Sequence, residues 1–404
     1  MTSGISRSTL WIALGAAAIT SSIGMGIRQT YGLLLLPYVS EHGVDAWAFG
    51  LAVALHNLTW GLAQPAVGAV ADRLGAGRVM TAGGLFYLVG CGLAALFPSN
   101  LTLLLGIGLF SGLGVASAGT GMALAAIGRL APPEKRGEYI GLASAGGSLG
   151  QAAMVPITFS AIGWFGAAGA MALLAVSALF ILPLARLIEW RPAPRTMGAM
   201  PAGLRGLPKL ARDSLADRDF ALLTAGFFAC GFQLAFLTVH LPSHIALCGL
   251  PPSLGMTALM LIGLFNIPGS WFCGWLAGRV KPEAALGWIY MFRTVSIALF
   301  ALAPPTEWGT MIFAAVMGFV WLGTVPLTSA AIARRFGVLN LGALYGVSFF
   351  SHQIGGFIGA AAGAVLFSTV GSYAAFWPVM VLVGLAASVL NWMAKAPGQR
   401  LAAA

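Results

Sequence analysis

The sequence predicts an all-α membrane protein in which twelve transmembrane helices form two pseudo-symmetric six-helix bundles, with both termini cytoplasmic. Three observations predict it. Apolar runs of about the 17–25 residues a bilayer requires recur along the whole chain. Basic residues outside those runs fall only in the termini and in alternate connections. The second half of the chain repeats the glycine, proline and arginine positions of the first.

The apolar runs are read at 10–36, 46–68, 79–97, 101–125, 138–161, 166–185, 220–245, 254–277, 285–302, 308–330, 342–366 and 373–394. The first begins like a secretory leader, and Ala16-Ala17-Ala18 imitates a cleavage site. The run continues past it to Pro37, so it reads as an uncleaved span. After the second run comes a glycine-rich turn with Asp72, Arg73 and Arg78, and after the fourth come Arg129, Lys135 and Arg136. After the sixth comes a Pro-, Gly- and charge-rich stretch, 186–219, read as a linker that includes a short surface helix. Arg279 and Lys281 follow the eighth run, Arg334 and Arg335 the tenth, and Lys395 and Arg400 the last. The intervening connections carry no Lys or Arg. Basic residues near span ends stay on the cytoplasmic side, which places both termini inside and makes this a polytopic inner-membrane protein.

Composition excludes other classes. Only 8% of residues are charged and 59% are hydrophobic, against about a quarter charged in soluble domains. The net charge of +10 is spread over many short connections, so orientation explains it better than nucleic-acid binding. Cys91, Cys230, Cys248 and Cys273 lie in or beside apolar runs without CxxC or His-ligand spacing, which predicts packing residues, no metal and no cofactor. No nucleophile–base pair or phosphate loop suggests an enzyme.

Gly26 and Pro37 fall on Gly231 and Pro242 at an offset of about 205 residues, and Gly137, Gly141 and Gly150 fall on Gly342, Gly346 and Gly355 at the same offset. Gly68 and Arg73 fall on Gly274 and Arg279 with one further residue of shift. One offset shared by three regions marks an internal duplication. It divides the chain into an N-terminal bundle, 1–185, the linker 186–219, and a C-terminal bundle, 220–404.

Gly68-Ala-Val-Ala-Asp72-Arg73-Leu-Gly75-Ala-Gly77-Arg78 resembles the cytoplasmic loop signature of the major facilitator superfamily. Stretches around Arg28–Gly32, Asn57–Pro65, Phe232–Pro242 and Ser351–Gly355 resemble its bacterial branch near the monocarboxylate porters and oxalate–formate exchangers. The resemblance implies alternating access, in which two bundles rock around a midplane site. It assigns Gly68, Asp72, Arg73, Arg78 and Arg279 to a cytoplasmic gate. The second copy of the signature, Gly274 to Arg279, lacks the acid, so the latch is asymmetric. Monocarboxylate porters carry an Asp and an Arg in span eight where this chain has Asn266 and Ser270, so that anchoring chemistry does not transfer.

Only Arg28 and Arg293 are basic residues within spans, and none of the eleven Asp and Glu lies well inside one. A buried cation without a buried acid favours an anionic cargo over a cationic one. Each such Arg costs about 2.5–3.5 kcal/mol at the bilayer centre on an insertion scale. Arg28, flanked by Gly24 and Gly32, is read as a guanidinium offered to a carboxylate. Arg293 lies in span nine, peripheral in the superfamily, and is read as structural. Tyr31, His56, Asn57 and Trp60, with Gln64 one turn on, and Tyr345, His352 and Gln353 complete the candidate cargo site. Histidine can titrate near neutral pH, and hydroxyls or amides can orient a small polar cargo. The bland reading of the same residues is hydrogen bonding between helices.

The expected function is secondary transport of a small, monocarboxylate-like organic anion by proton symport or anion exchange, by a monomer in the lipid bilayer. Efflux of hydrophobic or drug-like compounds is the alternative. Against it, span five reads Gly146-Gly-Ser-Leu-Gly150-Gln151 without the proline of the antiporter signature, and span four has Gly108 where proton-coupled exporters carry Arg. The topology has a direct test. A cysteine introduced at Arg195 is expected to resist an impermeant thiol reagent in intact cells and to react after permeabilisation. Labelling from outside would overturn the orientation.

Overall fold

The computed structural model describes residues 6–132, 136–188, 206–337 and 341–395; the side chains of Arg7, Asp72, residues 136–138 and Leu207 lie outside the description. The expected gate acid Asp72 therefore has a described backbone only, and the linker cations Arg191, Arg195 and Arg205 fall outside the described residues. Every regular element among the described residues is helical.

The chain divides into two compact units, Met1–Arg195 and Thr196–Ala404. Unit 1 contains α1 (Arg7–His42), α2 (Ala46–Leu74), α3 (Ala76–Leu96) and α4 (Asn100–Leu103), then a π-helical stretch Leu104–Ser111. It continues with α5 (Gly112–Ala118), α6 (Thr120–Leu130), α7 (Arg136–Leu179) and α8 (Ile181–Arg186). Unit 2 contains α9 (Leu207–Leu215), α10 (Arg218–Leu247), α11 (Pro252–Ala277) and α12 (Pro282–Leu302). α13 (Glu307–Phe319), α14 (Thr324–Phe336), α15 (Leu341–Val370) and α16 (Phe376–Met393) complete it.

Among the described residues, ten helical stretches are long and apolar enough to cross a membrane. Two differences separate this from the expected twelve. The fifth and sixth runs lie in one stretch, Tyr139–Arg186, interrupted at Gly166, whose φ of 71° is left-handed. A glycine adopts that conformation without a Cβ clash, and the chain restarts where Ala167 N donates to Glu41 Oε2 at 2.7 Å. The second run, α2, is 29 residues long but is not among the ten; His56, Asn57 and Gln64 lower its apolar content.

The packing of each unit repeats that of the other. In unit 1, α1 lies along α7, α3 along α7, and α2 along the π-helical stretch. In unit 2, α10 lies along α15, α12 along α16, and α11 along α13. Two of the repeated pairs, Gly26 with Gly231 and Gly150 with Gly355, sit in these seams. A Cβ on Gly26 would lie 2.8 Å from Gly150 O, and one on Gly150 would strike Ser22 O. A Cβ on Gly231 would strike His352 O, and one on Gly355 would strike Phe228 O. Small residues let two helix backbones approach this closely.

Two spans leave the regular ladder. The fourth run becomes α4, the π-helical stretch, α5 and α6. The tenth is split into α13 and α14 around Val320–Gly323. In the predicted linker, α9 packs Leu210 against a cluster of Phe220, Ile332 and Leu344. Beside it, Arg335 donates to Asp217 Oδ1 at 2.6 Å, to Asp217 Oδ2 at 2.8 Å and to Asp219 Oδ2 at 2.7 Å. Asp217 also caps α10 by accepting from Phe220 N at 2.9 Å. This ion cluster ties the start of α10 to the end of α14, a contact the sequence reading did not anticipate.

Candidate functional site

In unit 1, Arg28 projects from α1 towards α2 and is 6% exposed. Its Nη2 donates a long hydrogen bond to Asn57 Oδ1 at 3.4 Å, and its guanidinium carbon lies 5.4 Å from the centre of the Trp60 ring. Asn57 is itself aimed by Nδ2 donating to Val53 O at 3.0 Å, and Trp60 by Nε1 donating to Gln64 Oε1 at 2.8 Å. A spacing of three residues along α2 thus places an amide and an aromatic face on the same cation. A cation–π contact contributes about 0.5–2 kcal/mol and a charged hydrogen bond about 1.5–3 kcal/mol. Together these are comparable to the cost of inserting the charge, so Arg28 is held in place by neutral side chains.

Tyr31 and His56 belong to a second layer of the same unit. Tyr31 is fully buried, its hydroxyl beside Ser111 and Cys91, and its ring meets His56 edge-on at 5.5 Å. His56 Nδ1 lies 3.2 Å from Ile107 O in the π-helical stretch, while its buried Nε2 has no hydrogen-bond partner among the described residues. The unusual helix and the histidine explain each other: a π-turn displaces carbonyls from the α ladder, and an imidazole N–H satisfies one. The space expected beside Arg28 at Gly24 is occupied. Tyr87 donates to Gly24 O at 2.8 Å, and a Cβ on Gly24 would touch the Tyr87 ring at 3.4 Å.

Unit 2 gathers the remaining candidates around α15. The His352 ring stacks on Phe349 at 5.6 Å and meets Phe227 at 4.8 Å; its Nδ1 lies 3.0 Å from Gln353 Oε1. Tyr345 packs on Phe227 at 6.0 Å, and Ser348 bonds Thr224 across the seam at 2.9 Å. His240 is committed to structure, with Tyr373 Oη at 3.1 Å and Ala360 O at 2.9 Å.

Arg293 is fully buried and is consumed by the break in the tenth run. Its Nε donates to Val320 O at 3.2 Å and its Nη2 donates to both Val320 O and Trp321 O. Nη1 donates to Cys230 Sγ at 3.3 Å. On the other side of the break, Asn266 Oδ1 accepts from Leu322 N at 3.1 Å and from Ser270 Oγ at 3.0 Å. Asn266 and Ser270 are the positions where porters of the resembled branch carry charge; here they hold backbone.

The expected gate residues are less engaged. Gly75, with φ of 91°, makes the turn from α2 to α3, and a Cβ on Gly68 would have nothing within 4 Å. Arg73 and Arg78 are exposed. Arg279 folds back on its own helix, its guanidinium 4.1 Å from the Trp275 ring centre and Nη1 donating to Trp275 O at 3.3 Å. The sequence reading passed over Gln29 and Gln151, both fully buried; their signal was an amide within an otherwise apolar run.

The model of the Major Facilitator Superfamily matches residues 2–360. The chain belongs to that superfamily. It is a multi-pass membrane protein of a superfamily of transporters. It is 24% identical over 381 residues to the uncharacterised MFS-type transporter YcxA of Bacillus subtilis (strain 168), covering 91% of each chain. It is 25% identical over 376 residues to monocarboxylate transporter 13 of Rattus norvegicus, covering 91% of this chain and 85% of that one. It is 27% identical over 332 residues to monocarboxylate transporter 11 of Homo sapiens, covering 80% and 66% respectively.

The two buried arginines separate by substitution. Arg293→Ala leaves Val320 O and Trp321 O without their donor, so a loss of about 1–3 kcal/mol for each orphaned carbonyl and poor yield are expected. Thermal unfolding of the detergent-purified protein reads this directly. A melting temperature equal to wild type would remove the clamp assignment.

Proposed function

We propose that this superfamily member is a secondary active transporter, not an enzyme, that carries a small, monocarboxylate-like organic anion across the bacterial inner membrane. Twelve spans with both termini cytoplasmic alternate access between two bundles, 1–185 and 220–404, joined by the linker 186–219. Proton symport or anion exchange supplies the driving force, and the monomer is the working unit. The observation that carries the reading is Arg28: a deeply buried guanidinium held by the Asn57 amide and the Trp60 face. Side-chain partners can rotate aside for a carboxylate, whereas the carbonyls on Arg293 are fixed by the fold. The names of the monocarboxylate relatives support the same cargo class. In this reading Tyr31 and His56 of the first unit and Tyr345, His352 and Gln353 of the second contribute to cargo binding, and Gly68, Asp72, Arg73, Arg78 and Arg279 form the cytoplasmic gate.

Arg28→Ala is expected to keep its fold and lose at least tenfold in affinity for short carboxylates, the loss of one charge-assisted bond of about 1.5–3 kcal/mol. Arg28→Lys keeps the charge, loses the planar fork, and should bind at an intermediate level. Binding of labelled acetate, lactate and butyrate to purified protein decides it; wild-type affinity in Arg28→Ala would sink the anchor role. Asp72 is a helix end away from this site, so Asp72→Asn should slow uptake in proteoliposomes more than it weakens binding. Equal uptake rates would remove the latch.

A further inference from the structure

Gln29 and Gln151 are fully buried, and neither the Nε2 nor the Oε1 of either amide has a hydrogen-bond partner among the described residues. An unsatisfied buried amide is costly enough that each such group needs an explanation. Here four polar atoms stand orphaned on two helices that pack directly on each other.

Helical register places them together. At about 100° per residue, Ser21, Met25, Arg28 and Gln29 fall within about a 100° arc of α1. Gly147, Gln151, Met154 and Thr158 fall within about a 60° arc of α7 by the same measure. The two faces meet at Ser21 and Met25, since a Cβ on Gly147 would lie 3.0 Å from Ser21 Oγ and 3.5 Å from Met25 Cγ, while Arg28, at the edge of its arc, turns towards α2. The helices run parallel: Gly146 abuts Ala18, Gly150 abuts Ser22, and Met154 abuts Gly26. Arg28 and Gln29 therefore stand level with the segment just beyond Met154, near Thr158, whose buried Oγ1 is also unpartnered. Gln151 stands about five residues lower, an axial distance of about 8 Å at 1.5 Å per residue. With two flexible amide side chains reaching in, that separation matches a carboxylic acid of a few carbons.

We propose that Gln29 and Gln151 contact the cargo: Gln29 donates to the carboxylate beside Arg28, and Gln151 reads a hydroxyl group farther along the same molecule. The inference rests on the anion reading of Arg28. A hydroxyl both donates and accepts, so it satisfies both ends of the Gln151 amide. An alkyl group would leave both ends orphaned, and sites built to hydrogen-bond a hydroxyl reject the analogue that lacks it far more strongly than apolar pockets reject an extra methylene. The cargo class is therefore a short hydroxycarboxylate in preference to its deoxy counterpart.

The test uses the full-length purified protein with 3-hydroxybutyrate and butyrate as probes in an equilibrium binding assay. Wild type is expected to bind the hydroxy acid at least tenfold more tightly. Gln151→Leu should bring the ratio close to one by weakening the hydroxy acid, with butyrate bound at least as tightly as by wild type, and Gln29→Leu should weaken both acids by a similar factor. Neither substitution removes a hydrogen bond within the protein, so melting temperatures at or above wild type are expected. If Gln151→Leu fails to fold, the near-isosteric Gln151→Met gives the same reading. A wild type indifferent to the hydroxyl, or a folded Gln151 variant that keeps its preference, overturns this inference and leaves the anion reading standing. A wild type that binds neither acid overturns both.

Discussion

Backbone that leaves its helical ladder inside a membrane has no water to turn to, and in this protein that constraint decides where the polar side chains go. The break between α13 and α14 frees the carbonyls of Val320 and Trp321, and Arg293 fills both. It also frees Leu322 N, and Asn266 accepts from it. The π-helical stretch sets the same problem in unit 1, where His56 meets Ile107 O. At the Gly166 turn, between the fifth and sixth runs, the exposed carboxylate of Glu41 accepts from Ala167 N in the same way. At these places a side chain from a different helix meets the freed backbone, so each such break ties two helices of its unit together.

The two intramembrane arginines show how one residue type takes two roles. Arg293 sits among carbonyls and a thiol that the fold fixes in place, and its insertion cost is offset by several bonds at once. Arg28 sits against an amide and an indole, partners that rotamer changes can withdraw. The first arrangement suits a static clamp and the second suits a cation that meets a ligand. Charge and burial are nearly the same for both; Arg293 is bonded to backbone carbonyls, while the contacts described for Arg28 include side chains that can move.

The glycine pattern has an equally mechanical origin. Gly26 with Gly150, and Gly231 with Gly355, each let two helices meet backbone to backbone. The repeat is visible in the sequence because these four positions cannot carry a side chain in the packing they serve. Where no such contact exists, as at Gly68 or Gly346, a Cβ would meet nothing within 4 Å, and packing does not account for the glycine.

The sequence by itself determined the helical class, the membrane setting, the duplicated halves and the superfamily, because these follow from composition, periodicity and residues with no conformational substitute. It also singled out Arg28, Asn57 and Trp60, since the shared helical face of neighbouring residues on α2 is a local property and one charge in an apolar run stands out. Tertiary structure alone decided which polar residues are spent on backbone. His56, Trp60 and Gln64 share a face of α2, yet Trp60 bonds Gln64 while His56 turns to Ile107 O. Gly24 looked like open space and is filled by Tyr87. Asn266 and Ser270, which stand where porters of the resembled branch carry charge, hold a broken helix. The reason is that periodicity fixes the direction in which a side chain leaves its own helix, whereas the partner it meets depends on which carbonyl, ring or amide another helix brings to that point.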